Sequence, residues 1–160
     1  SFAVDSNRNG KIDVGRPDWI KDSAVDDWLS SYDSNGVNRL IFIIEACYIG
    51  HFIDELSHPN EKRIIIATSQ SNNEAIGETG QDWPAFSHRF FKELADGETN
   101  ITLAFYKAGY HVEQENYWSI HYKEQKPIMD DNGDGTGSRY TDISYTDTNK
   151  DGALGSKTGL

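Results

Sequence analysis

Residues 39–50 read RLIFIIEACYIG, a continuous apolar run that ends close to a cysteine. An uninterrupted β-prone run of this kind is typical of a strand that is buried on both faces of a parallel sheet. Over residues 49–56 the apolar positions change to helical spacing, and Pro59 stops the pattern. The sequence therefore predicts that Cys47 lies on a turn between a strand and a helix.

The segments around this turn predict an α/β fold with a mainly parallel sheet. Sheets normally contain about five or six strands, so the two strands found here indicate a sheet that lacks its N-terminal strands. The further predicted elements are helices over 24–32, 86–94 and 101–108, a strand over 64–68 and a long polar loop over 69–81.

Size and charge exclude several classes of protein. The chain has 160 residues and a mass of 18.0 kDa, the size of one domain. Its 15 Lys and Arg residues against 26 Asp and Glu residues give a net charge of -11, which argues against nucleic acid as a partner. A hydrophobic content of 36% excludes a disordered acidic tail. The longest apolar run is too short for membrane insertion.

Residues 127–160 differ in composition from the rest of the chain. They contain few apolar residues and many Asp, Gly, Ser and Thr residues, which predicts loop structure. We therefore divide the chain into a core over residues 1–126 and an Asp- and Gly-rich tail over residues 127–160, which packs on the core or follows it.

Cys47 is the only cysteine of the chain, which excludes an internal disulfide. In open α/β sheets, chemistry gathers at the carboxyl ends of strands, and the amides at the start of a helix favour the nucleophilic thiolate. A free cysteine is also among the residues most often buried as a small hydrophobic group. Position alone thus leaves two interpretations open, a catalytic nucleophile and a structural thiol.

Two stretches resemble legumain-like cysteine peptidases of the bacterial type, which belong to the caspase-fold clan. They are IFIIEACYIGHFIDEL, residues 41–56, and KRIIIATSQSNNEAIGETGQDWPAFSHRFFKEL, residues 62–94. In that family an apolar strand ends in Glu-Ala-Cys or Asp-Ala-Cys and a Gly follows three residues later, as residues 45–47 and Gly50 do here. The resemblance extends roughly over residues 24–160.

The resemblance implies a caspase-like, three-layer αβα fold and a cysteine endopeptidase. Its substrates would be peptides or proteins, attacked by the thiolate of Cys47. It also implies that Tyr48 and Ser69 contribute to substrate binding. Tyr48 replaces the acidic residue that assists asparagine recognition in legumains, and Ile49 replaces a small polar residue. The resemblance therefore does not extend to asparagine specificity.

The family pairs its cysteine with a His from a His-Gly pair on the preceding strand, and backbone amides hold the oxyanion. All 5 His residues of this chain follow Cys47, and none precedes a Gly. The resemblance implies that the partner His lies upstream of Ser1, in an N-terminal half of the same catalytic domain, so that this fragment alone is inactive. His51, on the same helical face as Cys47, is a weaker alternative.

Three segments have the alternating spacing of EF-hand-like calcium loops, in which side-chain oxygens face the cation and Gly makes the turn. Each lacks the closing Glu, so the expected affinity for a structural Ca2+ is weak, on the order of 0.1 to 1 mM. Plain acidic turns are the alternative. The candidate ligands are Asp5, Asn7, Asn9, Lys11 and Asp13 in the first loop, Asp130, Asn132 and Asp134 in the second, and Asp147, Asn149 and Asp151 in the third.

Weak calcium loops favour an extracellular, cell-surface or periplasmic protein, because free calcium is scarce in the cytosol. No cofactor is expected for catalysis. The alternative to a peptidase is a catalytically inactive caspase-like protein that serves as a calcium-dependent binding or structural module. A different α/β hydrolytic class that uses Cys47 is a weaker alternative, because no triad partner stands at a recognisable position.

Overall fold

The computed structural model of the chain describes residues 2–3, 19–36, 39–59, 63–77, 83–117, 125–147 and 149–157. Its first elements are strands β1 (Phe2–Ala3) and β2 (Trp19–Ile20), helix α1 (Asp22–Ser34), strand β3 (Leu40–Ile44), a short 3-10 helix (Ile49–His51) and helix α2 (Phe52–Leu56). Strand β4 (Arg63–Ala67), helices α3 (Ala85–Ala95) and α4 (Ile101–Tyr117), strands β5 (Ile128–Asp130) and β6 (Ser138–Arg139) and a 3-10 helix (Gly155–Lys157) follow.

The larger sheet has the strand order β3-β4-β5-β6, and β1 and β2 form a separate antiparallel pair. Strands β3 and β4 are parallel, with Leu40 opposite Arg63. The pairings of β4 with β5 and of β5 with β6 are antiparallel, so the prediction of a mainly parallel sheet is wrong. Antiparallel strands commonly extend a parallel pair in mixed sheets, and strand direction depends on a long-range connection that no local pattern reveals.

Helices cover both faces of this sheet, which confirms the α/β class. Side chains alternate along β4, so that Ile64 and Ile66 pack against α3 and α4, whereas Ile65 and Ala67 pack against α1 and α2. All of β4 is buried, as the uninterrupted apolar run predicts for a strand between two helical layers. Strand β3 is paired on one side only among the described strands.

The predicted order from α1 to α4 is confirmed, with α4 continuing beyond the predicted end to Tyr117. The described part of the predicted polar loop, residues 69–77, contains a single isolated bridge, from Gly77 to Pro84, and no strand or helix. Among the described helices, none combines the length and the apolarity needed to cross a lipid bilayer.

The prediction that residues 127–160 form only loop is wrong for β5 and β6, which are strands of the main sheet. Ile128 and Met129 are buried, and they extend the two cores on opposite faces of the sheet. Strands of three and two residues are too short for a periodic pattern to reveal them. The tail is therefore joined to the core through β5.

A buried arginine ties α1 to the sheet. Arg63, 3% exposed, pairs with Asp26 at 2.7 Å and with Asp33 at 2.5 Å, and it donates to the Leu56 carbonyl at 2.8 Å. His58 lies 2.9 Å from the same Asp26 oxygen. Burial by itself raises the pKa of Asp26, but the hydrogen bonds from Arg63 and His58 outweigh it, and the net shift is downward.

Candidate active site

Cys47 lies on the turn that leaves the C-terminal end of β3, as predicted. Its side chain is exposed, and the thiol donates a hydrogen bond to the Ala75 carbonyl at a sulfur–oxygen distance of 3.7 Å. An exposed thiol at a strand end is accessible to a substrate. The interpretation of Cys47 as a buried hydrophobic residue is therefore wrong for this structure.

The residue after the cysteine has a strained backbone. Tyr48 has a φ of 60° and is the one non-glycine residue with a positive φ in the described part of the chain. Its N–H donates to the Asn73 carbonyl at 2.8 Å, and its hydroxyl donates to Glu74 at 2.7 Å. These contacts hold the turn in a conformation that costs of order 1–3 kcal/mol for such a residue.

Ser69 supports the same turn from the end of β4. Its hydroxyl donates to the Ala46 carbonyl at 2.8 Å and accepts from the Ile49 N–H at 3.4 Å. The side chain is buried, and the contacts shown for it position the Cys47 turn. A direct role of Ser69 in substrate binding stays a prediction.

Gly50 allows the turn to pack closely on the segment that follows β4. A Cβ at this position would lie 2.7 Å from the Ser71 nitrogen and 2.8 Å from the Gln70 Cα atom. These are backbone atoms, so a larger residue forces the two segments apart. Gly50 belongs to the motif that carries the family resemblance, and the structure gives a local steric reason for a glycine at this position.

The backbone amides around the cysteine are not equivalent. The amides of Tyr48 and Ile49 already donate to Asn73 and Ser69. Among the described residues, no acceptor is shown for the Cys47 N–H. This amide is consequently the candidate donor to an oxyanion that forms beside the thiol.

A pocket of about 320 Å³ opens beside Cys47. It lies between the end of β3 and the segments that precede α3, and Trp83 forms part of its wall with 61% of its surface exposed. Its full lining is Glu45, Ala46, Cys47, Ala75, Ile76, Gly77, Trp83 and Pro84. Tyr48 and Ser69, the two predicted substrate-binding residues, are not part of this lining.

Glu45 lines the pocket, although the sequence singles it out only as the first residue of the Glu-Ala-Cys motif. One of its oxygens accepts from the Ser87 N–H at 3.0 Å. Burial raises the pKa of Glu45, and hydrogen bonds from Ser87 and Gln125 partly offset this effect. Glu45 directly follows β3 and lines the same pocket as Cys47.

Gln125 links two segments behind the pocket through buried hydrogen bonds. It is fully buried, its amide donates to the Thr68 carbonyl at 2.8 Å, and its oxygen accepts from the Ile76 N–H at 3.2 Å. It thus ties the end of β4 to the pocket wall. No sequence pattern singles out this glutamine, because its partners are distant backbone groups.

No histidine is shown bonded to the thiol within the described ranges. The Nδ1 atom of His51 lies 2.8 Å from the Tyr48 carbonyl, and His58 contacts Asp26. His88 and His111 lie on α3 and α4, and His121 is outside the described residues. The single hydrogen bond shown for Cys47 goes to Ala75. The contacts shown for these histidines therefore do not supply a catalytic partner for Cys47.

The second predicted calcium loop has the backbone form that such a loop requires. Asp130 accepts from the amides of Asn132, Gly133 and Gly135, and Gly135 at the sixth position has a φ of 79°. The Asn132 oxygen accepts from the Asp134 N–H at 2.9 Å. The segment therefore makes the turn at Gly135 that the spacing predicts, and the side chains of Asp130, Asn132 and Asp134 accept from amides of the same loop.

The candidate ligands of the third loop are not brought together in the same way. Asp147 accepts from the Asn149 N–H, whereas Asp151 is buried and accepts from Asp131 and Ser138 amides at 3.0 Å each. Burial raises the pKa of Asp151 to about 7. Within the described ranges, no group of three His, Cys, Asp or Glu side chains has a metal-binding arrangement. The first loop, including Asp5, Asn7, Asn9, Lys11 and Asp13, lies outside the described residues.

Comparison with protein-family models finds no family that matches this chain. The search of curated proteins finds no match either. The function is therefore inferred from the site and from the resemblance of the motif.

Proposed function

We propose that this chain is part of a legumain-like cysteine endopeptidase with a caspase-like fold, in which Cys47 is the nucleophile. The observation that carries the proposal is an exposed thiol on the strained turn after β3, on the wall of a pocket of about 320 Å³. Helices on both sides of the sheet, and a cysteine at the carboxyl end of a strand, support the same class.

The proposed reaction is covalent hydrolysis of a peptide bond. The Cys47 thiolate attacks the scissile carbonyl carbon, and the Cys47 N–H stabilises the oxyanion. The tetrahedral intermediate collapses to a thioester as the C–N bond breaks, and the leaving amine takes a proton from a histidine. Water then hydrolyses the thioester and restores the thiol. We place that histidine in an N-terminal half of the domain, upstream of Ser1.

We also propose a structural Ca2+ at Asp130, Asn132 and Asp134, supported by the turn at Gly135. Oxygen ligands and weak affinity suit a cation that orders a loop outside the cytosol. The calcium supplies no step of the proposed reaction. An extracellular, cell-surface or periplasmic location belongs to the same proposal.

The test uses the protein as its gene encodes it, incubated with a peptide library in the presence of Ca2+. We expect cleavage by the wild type and by Ser71→Ala, a control on the exposed loop next to the Cys47 turn. We expect no cleavage by Cys47→Ala. Iodoacetamide labelling followed by mass spectrometry reports the reactivity of Cys47 without any need for substrate recognition.

A calcium-dependent binding or structural module is the second candidate. It is favoured by the contacts of Cys47, which among the described residues include Ala75 and no histidine. Under this alternative, Ca2+ stabilises the protein, but no peptide of the library is cleaved. Cleavage that depends on Cys47 contradicts the module and supports the peptidase.

A further inference from the structure

A second pocket lies next to the Cys47 pocket, along the exposed side of α3. Its volume is about 590 Å³, and its wall includes Trp83, Pro84, Phe91 and Ala95. Trp83 and Phe91 are 61% and 55% exposed. Large side chains exposed together in a concave surface mark an interaction site more often than isolated exposed residues do. We call this pocket the α3 groove.

The α3 groove adjoins the candidate active site. Trp83 and Pro84 belong to the walls of both pockets. A substrate peptide bound beside Cys47 therefore lies against a wall that also lines the α3 groove. From this shared wall we infer that the occupant of the groove is the substrate itself.

An extended peptide directs alternate side chains to the same side. Residues two positions apart point to the same side of an extended chain and are separated by roughly 7 Å. When one substrate side chain occupies the Cys47 pocket, the side chain two residues away is directed to the neighbouring groove. Ser87, His88 and Lys92 also line the groove. Its indole ring, phenyl ring, proline and alanine nevertheless offer an apolar surface that suits an aromatic or large aliphatic side chain.

We propose that the α3 groove is a specificity subsite, which binds an aromatic or large aliphatic substrate residue two positions from the residue held beside Cys47. This inference rests on the proposed endopeptidase function and adds the substrate class to it. Binding energy from this subsite acts at a distance from the reacting carbonyl and orients the scissile bond against the thiol.

The experiment compares two peptide series, with Phe or Ser as the third residue before or the second residue after the cleaved bond, using the complete natural protein. The wild type is expected to prefer Phe by about tenfold in kcat/KM, the scale typical of one apolar side chain in a pocket. Phe91→Ala removes a wall of the groove, and Ala95→Arg fills it. The control Trp28→Ala removes a comparably exposed aromatic residue, 54% exposed, from α1 on the other face of the sheet.

We expect both groove variants to lose the preference for Phe, while Trp28→Ala keeps it and iodoacetamide labelling of Cys47 is unchanged. A wild type that cleaves both series equally, or variants that keep the preference, overturns the subsite and leaves the peptidase intact. An equal loss for both series identifies the groove as a packing surface for another part of the protein and also overturns it. No cleavage of any peptide overturns the proposed function and this inference with it.

Discussion

Asp131 and Asp151 join the two ends of the Asp-rich tail through a hydrogen bond from the Asp131 N–H to the Asp151 carboxylate. Asp151 accepts from the Asp131 N–H at 3.0 Å, and Asp131 accepts from the Gly152 N–H at 2.8 Å. Asp131 also accepts from the Gly155 N–H. Both carboxyl groups are buried, and their hydrogen bonds tie the segment after β5 to residues 151–155.

Replacement of Asp131 by Ala is expected to lower the free energy of unfolding by at least about 2 kcal/mol, because two buried amides lose their acceptor. The expected decrease in Tm is roughly 4–8 °C. Asp27→Ala, at an exposed position of α1, is the matched control and is expected to leave Tm within about 1 °C. An Asp131→Ala variant as stable as this control contradicts the stabilising role of the hydrogen bonds to Asp131.

Calcium is expected to raise the thermal stability of the protein. With a Kd on the order of 1 mM, about 10 mM Ca2+ adds about 1.4 kcal/mol to the free energy of unfolding. Asp134→Ala removes a candidate ligand at an exposed position and is expected to reduce this increment, whereas Asp27→Ala preserves it. A wild-type Tm that does not change in a differential scanning fluorimetry titration refutes the calcium proposal.

Because Arg63 pairs with Asp26, the free energy of unfolding is expected to depend on pH in the acidic range. Because the folded-state pKa of Asp26 is lowered, its stabilising effect is present above the ordinary value of 3.8 and is lost as the pH falls through the folded value. Asp26→Asn is expected to reduce the slope of stability against pH in this window. Urea denaturation at several acidic pH values measures the slope, and an unchanged slope argues against the assignment.

Glu45 is expected to have the opposite effect on stability. Its folded-state pKa is raised above 4.5, so stability is lost as the pH rises from that value through the folded pKa. Glu45→Gln keeps an acceptor for the Ser87 N–H but carries no charge. We expect this variant to gain stability relative to the wild type toward neutral pH and to match it in acid. An equal pH dependence of the two proteins contradicts this interpretation.

Gly50→Ala is expected to lower the stability of the protein and to distort the Cys47 turn. The new Cβ meets the backbone of residues 70–71 at 2.7–2.8 Å, and such overpacking costs typically 1–3 kcal/mol. The matched control is Gly77→Ala, because its Cβ would lie 3.9 Å from the nearest atom. Thermal denaturation compares the stability of the two variants. Because Gly77 lines the Cys47 pocket, the rate of Cys47 labelling is compared between Gly50→Ala and the wild type. Equal behaviour of the two variants excludes the steric explanation.

The local pattern of the sequence predicted much of the frame of the site. The apolar run through residues 40–44 and the change of spacing after it placed Cys47 on a strand-to-helix turn, and the structure has this turn. These signals are local, because burial on both faces of a strand and on one side of a helix leaves a repeating trace in neighbouring residues. The order of elements from α1 to α4 was accessible for the same reason.

Tertiary structure alone decided the direction and the place of β5. Ile128 and Met129 are two apolar residues in a polar tail, and they become core only because β4 offers its free edge to them. The same holds for Gln125, whose partners Thr68 and Ile76 are distant in sequence. Periodicity reports which residues are buried locally, but the pairing of distant backbone groups depends on the path of the folded chain.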